Sequence, residues 1–309
     1  MPLSMAPETQ PNTAPLAELA FSCYGDPKSP ALVLLHGFLG NKHDWLGYVE
    51  HLTDKLYCIC IDLPGHGDSR DMLIPSPGFD SCAQLIINTL AKQGIHQFHL
   101  QGYSLGGRIA LHLAHMAPTT LLSLHLESCH PGLKNLDDKE ARLAHDKLWA
   151  NKLLTLPMAQ FLQDWYQQAV FSDLSPNARA QLIERRLDNA RQLQTSAQTS
   201  SPASAQVDTK ASALTETKAE AQIVRAPQGL HDCYCHTSLA LQANLWHLPR
   251  LIPSFYYAGS QDAKFSALAQ QWQARGGPQL HLIAAAGHNI HNAQPQALAA
   301  RLAANICLG

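Results

Sequence analysis

The chain has 309 residues, 46% of them hydrophobic and 15% charged, with a formal net charge of −2. That length accommodates one large α/β domain with an insertion or two small domains, and the apolar content supports a buried core. The near-balanced charge excludes the basic footprint of a nucleic-acid binder, so an anion has to be held by a few placed cations rather than by a global field.

From the N-terminus, Met1 to Leu19 is rich in Pro, Thr and Gln and lacks the continuous apolar stretch of a secretory signal. The later apolar runs are too short to span a bilayer, so no membrane partner is expected. Eight scattered cysteines, several in apolar strand-like runs such as Cys58 and Cys60, read as reduced thiols of a cytoplasmic protein.

Short apolar strands are predicted at Ala31–His36, Tyr57–Asp62, Phe98–Gly102, Leu122–Glu127, Ser254–Gly259 and Leu280–Ala284. Helical spacing covers Asp80–Gln93, Leu105–Met116, Ala263–Arg275 and Pro295–Asn305. Such alternation predicts an α/β fold with a mostly parallel central sheet and helices on both faces. Between Cys129 and Leu248 the alternation stops. Helical patterns at Leu143–Leu153, Met158–Gln168 and Pro176–Leu193 read as a helical lid inserted over the carboxyl ends of the strands. The expected organisation is a core formed by residues 1–128 and 249–309, with the lid at 129–248. Within the lid, Gln194–Gln222 has no aromatic residue and only Val207 and Leu214 as large aliphatics. So little apolar surface cannot offset its ordering entropy, and a mobile loop is expected there. His231, Cys233, Cys235 and His236 lie close together, but C-x-C without a second ligand pair lacks zinc spacing. A helix start is expected there, with no metal.

Gly102-Tyr103-Ser104-Leu105-Gly106 follows a predicted strand and opens a predicted helix, the context of a nucleophile elbow. A seryl oxygen there acts as nucleophile or base once an imidazole takes its proton. His288, in Ala286-Gly287-His288-Asn289, and Asp262, in the run Tyr256 to Asp262, each follow a strand. The order Ser104, Asp262, His288 is the Ser-acid-His order of α/β-hydrolases. His291 is the alternative imidazole, and Glu127 is the alternative acid. The backbone N–H groups of Leu105 and of Phe38, in His36-Gly37-Phe38-Leu39-Gly40, are the expected oxyanion donors. His36 and the turn Asp62-Leu63-Pro64-Gly65-His66-Gly67 read as scaffold. Arg108 lies one helical turn beyond Ser104 and can face the same mouth. Tyr103 is either a substrate contact or the elbow's packing residue.

H-G-F, D-L-P-G-H-G, G-Y-S-L-G-G-R and A-G-H together resemble the α/β-hydrolase superfamily. The longer stretches Gly102–Arg108, Glu127–Leu133, Trp165–Phe171 and Tyr256–Phe265 are similar to the 2-succinyl-6-hydroxy-2,4-cyclohexadiene-1-carboxylate synthase family of menaquinone biosynthesis. The resemblance runs from about Ala31 to Ala304, interrupted by the Ser/Thr-rich segment. It implies a lyase that removes pyruvate from a small polycarboxylate, with Ser104 as base and no cofactor. It further implies that Arg142 and Arg186 bind carboxylates beside Arg108, with Arg185 the alternative to Arg186, and that Trp165 lines the site. The other enzyme reading is an esterase or C–C bond hydrolase with Ser104 as nucleophile. A non-catalytic binding protein should have lost one of Ser104, Asp262 and His288, and all three are present.

Overall fold

In the computed structural model, which describes residues 18–199, 224–247 and 252–306, the apolar runs pair into a seven-stranded sheet of order β1-β3-β2-β4-β5-β6-β7. The strands are β1 Phe21–Tyr24, β2 Ala31–Leu35, β3 Tyr57–Ile61, β4 Phe98–Tyr103, β5 Leu121–Glu127, β6 Ser254–Gly259 and β7 Gln279–Ile283. Six run parallel, and β1 lies antiparallel on β3 with Phe21 opposite Ile61. The six predicted strands are found with ends shifted by a residue or so. The edge strand β1 was not predicted, because its four residues carry no clear alternation and Cys23 is exposed.

The described α-helices are α1 Leu46–Val49, α2 Gly78–Lys92, α3 Leu105–Met116, α4 Leu136–Thr155, α5 Met158–Trp165, α6 Pro176–Thr199, α7 Gln228–His236, α8 Ala263–Gln273, α9 Ile290–Ala293 and α10 Pro295–Ile306, with short 3-10 turns beside some of them, such as Lys42–Trp45. Alternate side chains of the central strands feed two cores. Val33, Leu35 and Leu100 pack with α2, α3 and α8, while Leu32 and Leu34 pack with α1 and α10. Burying both strand faces is what makes β2 a continuous apolar run in the sequence. None of the described helices is long and apolar enough to cross a membrane.

Between β5 and β6 the described residues form helices α4 to α7, with their own core of Leu153, Phe161, Leu162, Tyr166 and Leu187. Most of the predicted mobile segment Gln194–Gln222 lies outside the described residues. Its first part does not form a loop: α6 continues to Thr199. Gln, Ala, Ser and Thr without Gly or Pro let a helix propagate even where nothing apolar is buried. The four-residue cluster His231 to His236 lies inside α7, where Cys233 is buried and His236 Nδ1 is 2.8 Å from the Ile74 carbonyl.

The face of β4 to β7 under α1 and α10 is unusually polar. His99 Nδ1 is 2.7 Å from Ser123 Oγ, which is 2.7 Å from His125 Nε2, and His125 Nδ1 is 2.8 Å from the Tyr257 hydroxyl. Asn305 Nδ2 then donates to Tyr257 Oη at 3.0 Å and to His281 Nε2 at 3.1 Å. The hydrogen bonds of this chain offset the cost of burying its groups. Burial lowers the pKa of His125 from 6.5 to about 3 and lowers those of His99 and His281 as well.

His125 is therefore neutral when folded and takes up a proton when unfolded below pH 6.5, and the lowered His99 and His281 act in the same direction. Stability is therefore fully present above pH 6.5 and lost as pH falls toward the folded pKa, by about 1.4 kcal/mol per pH unit for each fully neutral imidazole. Urea midpoints should fall steadily from pH 6.5 to 5, before most carboxylates titrate. A flat profile over that range would contradict the neutral assignment.

Candidate active site

Ser104 alone joins β4 to α3, at φ 50° and ψ −107°. A residue bearing a side chain reaches this region at a cost of roughly 1–3 kcal/mol. Neighbouring bonds hold it there: Ser104 N donates to the Glu127 carbonyl at 2.9 Å and Gly106 N to the His36 carbonyl at 3.1 Å. Gly106 must be glycine, because a Cβ there would collide with the carbonyls of Leu35 and His36. The tight approach leaves the Ser104 side chain at the carboxyl edge of the sheet, facing two cavities.

Asp262 follows β6 and His288 follows β7, and the parallel order brings both to that edge. His288 Nδ1 lies 2.9 Å from Asp262 Oδ2, both side chains being buried. Asp262 Oδ1 accepts the Phe265 N–H at 3.0 Å. Burial would raise the Asp262 carboxyl, but the His288 and Phe265 hydrogen bonds outweigh it and hold the group below the usual carboxylate range. An ionised Asp262 keeps the imidazole proton on Nδ1 and leaves Nε2 as the basic nitrogen. Among the described residues neither that Nε2 nor the Ser104 hydroxyl has a hydrogen-bond partner, and both residues line the same cavities.

The alternative pair lies apart from this one. Glu127 is fully buried and its Oε1 is 2.9 Å from His291 Nδ1, not near Asp262's position on His288. The backbone N–H groups of Phe38 and Leu105 have no acceptor among the described residues, and Phe38, Leu105 and Ser104 line one cavity. His36 is buried, its Nε2 accepts the Leu63 N–H at 3.0 Å, and burial lowers its pKa to about 4. Asp62 accepts from Lys42 Nζ at 2.8 Å and from Asp68 N at 2.9 Å. Both residues serve the loops rather than the cavity.

The two cavities meet at Ser104, His288, Phe38, Trp165 and Phe171. One lobe, of about 480 Å³, carries Tyr103, Arg185 and Arg186. The other, of about 340 Å³, carries Arg108, Arg142 and Lys264. Arg108 is half-buried, donates to the Thr237 carbonyl at 2.8 Å and lies 5.3 Å from the Phe79 ring. Burial, then the charge of Arg142, lowers its pKa to about 10, so it remains a cation. Arg142 uses Nε on Asp146 at 2.8 Å. Tyr103 packs against His288 and His291, with ring centroids 5.4 and 4.9 Å away. A separate cavity of about 320 Å³ lies behind Arg186 and is lined by neither Ser104 nor His288.

Arg186 is the least available of the arginines. Its two terminal nitrogens each lie 2.7 Å from an Asp44 carboxylate oxygen, and both side chains are 7% exposed. Burial would raise Asp44, yet Arg186 outweighs it and holds the carboxyl at about 2. Arg185, exposed at the rim of the same lobe, has no carboxylate within ion-pair distance among the described residues. Two participants were missed from the sequence. Asp44 lay in a stretch to which the sequence pattern assigned no element, and Lys264 stands two residues after Asp262, where the strand–Asp–helix step could have pointed to it.

The α/β hydrolase fold family model matches residues 30–292. The chain is 39% identical over 280 residues to 2-succinyl-6-hydroxy-2,4-cyclohexadiene-1-carboxylate synthase of Yersinia pseudotuberculosis, covering 89% of this chain and 86% of that protein. It is 38% identical to the synthase of the same name from Yersinia pestis, with the same coverage. Among solved structures, MenH from S. aureus superposes with a TM-score of 0.73 at 24% identity, covering 93% of this chain and 98% of that one. A thermophilic esterase from Thermogutta terrifontis gives 0.61 at 18% identity, covering 93% and 92%.

Arg186→Met leaves Asp44 buried without its partner and should lower stability by about 3–5 kcal/mol. Arg185→Met should change it by less than about 0.5 kcal/mol. Urea unfolding of the two variants checks this, and equal losses would refute the assignment of Arg186 as the structural cation.

Proposed function

Because the chain belongs to the 2-succinyl-6-hydroxy-2,4-cyclohexadiene-1-carboxylate synthase family within the α/β-hydrolase fold, we propose that Ser104, His288 and Asp262 carry that family's lyase chemistry here. The reaction eliminates pyruvate from 2-succinyl-5-enolpyruvyl-6-hydroxy-3-cyclohexene-1-carboxylate and leaves the conjugated cyclohexadiene.

Asp262 holds His288 through Nδ1, and His288 Nε2 draws the proton from Ser104. The seryl oxygen then abstracts a ring proton as a general base. Electrons move through the ring alkene and break the ring C–O bond. The enolpyruvyl group leaves as the pyruvate enolate, which takes up a proton to become pyruvate. The N–H groups of Phe38 and Leu105 face the oxygen on which negative charge grows. Phe38, Trp165 and Phe171, common to both lobes, shield the reacting ring from water.

The observation that carries this reading is the placement of cations on both sides of Ser104: Arg185 and Arg186 in one lobe, Arg108, Arg142 and Lys264 in the other. A substrate with carboxylates at several positions matches such a cleft, since guanidinium groups bind carboxylates bidentately. A neutral ester would offer no counterion to Arg108, Arg185 and Lys264, which have no carboxylate within ion-pair distance among the described residues. With Arg186 committed to Asp44, Arg185 is the better carboxylate ligand of its lobe. A cytoplasmic setting fits the free thiols of the described cysteines.

Purified protein given the enolpyruvyl cyclohexene should release pyruvate and form diene in equal amounts, and Ser104→Ala should lower kcat by about 10³-fold or more. Arg185→Ala and Lys264→Ala should chiefly raise KM. Cleavage of aryl esters without pyruvate release would replace the lyase reading with a hydrolase.

A further inference from the structure

The second carboxylate–imidazole pair lies beneath the first, and its contacts reach both halves of the catalytic geometry. Glu127 ends β5 with no exposed surface. Its carbonyl accepts the Ser104 N–H at 2.9 Å. Its Oε1 accepts the Ile290 N–H at 2.7 Å and the His291 N–H at 3.1 Å, the first two donors of α9 and only two or three residues beyond His288. The His291 ring closes the clamp: Nδ1 is 2.9 Å from Oε1 and 3.0 Å from Oε2. That ring stacks on Trp45 at 4.1 Å and meets the edge of Tyr103 at 4.9 Å. Gln101 Nε2 reaches Oε2 at 3.5 Å, and its own Oε1 accepts the Tyr48 hydroxyl at 2.7 Å.

We infer that Glu127 is a positioning residue for the reaction: one buried side chain and its own carbonyl set the gap between the Ser104 oxygen and the His288 imidazole. Asp262 orients the ring from one side, but it does not hold the backbone of the His288 loop near Ser104. Glu127 does so, because the strand that carries its carbonyl also carries the carboxylate that grips the loop. A buried carboxylate accepting several N–H donors is a strong anchor, since charge-assisted hydrogen bonds are about twice as strong as neutral ones. A shift of the imidazole by about 1 Å costs on the order of 10²-fold in rate. This inference rests on the assignment of Ser104 and His288 as the reacting pair.

The test measures kcat and KM of Glu127→Gln, Glu127→Ala, His291→Asn and Ser104→Ala with the enolpyruvyl substrate, each corrected for folded fraction by circular dichroism. Positioning predicts that Glu127→Ala loses about 10²-fold in kcat with KM nearly unchanged. Glu127→Gln, which keeps an acceptor for the two backbone donors, should recover part of that loss. His291→Asn, which leaves those donors on Glu127, should fall by a smaller factor with KM retained, and it carries the test if the Glu127 variants do not fold. Folded variants with wild-type kcat, or a loss confined to melting temperature or KM, would overturn the inference while Ser104→Ala stays inactive. Turnover by Ser104→Ala would instead overturn the serine assignment on which it rests.

Discussion

The active edge of this protein depends on one constraint, a backbone forced to positive φ at a residue that needs a side chain. Ser104 cannot relax to helix or strand without breaking its own N–H bond to the Glu127 carbonyl and the neighbouring Gly106 N–H bond to the His36 carbonyl. The absent side chain at Gly106 lets the start of α3 lie against β2. Because β2, β4 and β5 are adjacent and parallel, the same contact fixes how high the Ser104 oxygen stands above the sheet. The loops bearing Phe38, Asp262 and His288 leave strands of that sheet, so their positions are defined relative to it.

Electrostatics in the cleft is local. A chain of net charge −2 has no field that concentrates anions. Cations are instead placed individually, in different states of commitment. Arg186 is neutralised by Asp44, Arg142 is half engaged by Asp146, and Arg108 is held by a carbonyl and a phenyl ring. Arg185 and Lys264 have no acidic partner within ion-pair distance among the described residues. Such grading keeps the empty cleft from accumulating unpaired buried charge, which would destabilise the fold.

Much of the frame was legible because its signals are local. A strand buried on both faces reads as an unbroken apolar run, and Gly-x-Ser-x-Gly between such a run and a helical pattern allows few conformations. The residues that were not legible owe their roles to long-range partners. Nothing around Asp44 announces that Arg186, far along the chain, inserts its fork there. His99, Ser123, His125 and His281 weaken the apolar pattern of their strands, and only the folded sheet brings Tyr257 and Asn305 to satisfy them. The extension of α6 past Leu193 was missed for the opposite reason. Low apolar content marks what a segment cannot bury, but it does not forbid a helix.

The ring of Trp165 touches Phe38 at 5.0 Å, Trp149 of α4 at 5.1 Å, Phe161 of α5 at 5.7 Å and Tyr234 of α7 at 5.9 Å. Phe38 also lines the cavity at Ser104, and its N–H has no acceptor among the described residues. The inserted helices are therefore not an interchangeable module resting on a finished core, since they pack against a core residue that lines the cavity at Ser104. Divergence of this enzyme toward other substrates has freedom at the cleft's rim, where Arg185 and Lys264 stand. At Trp165, insertion and core can change only together.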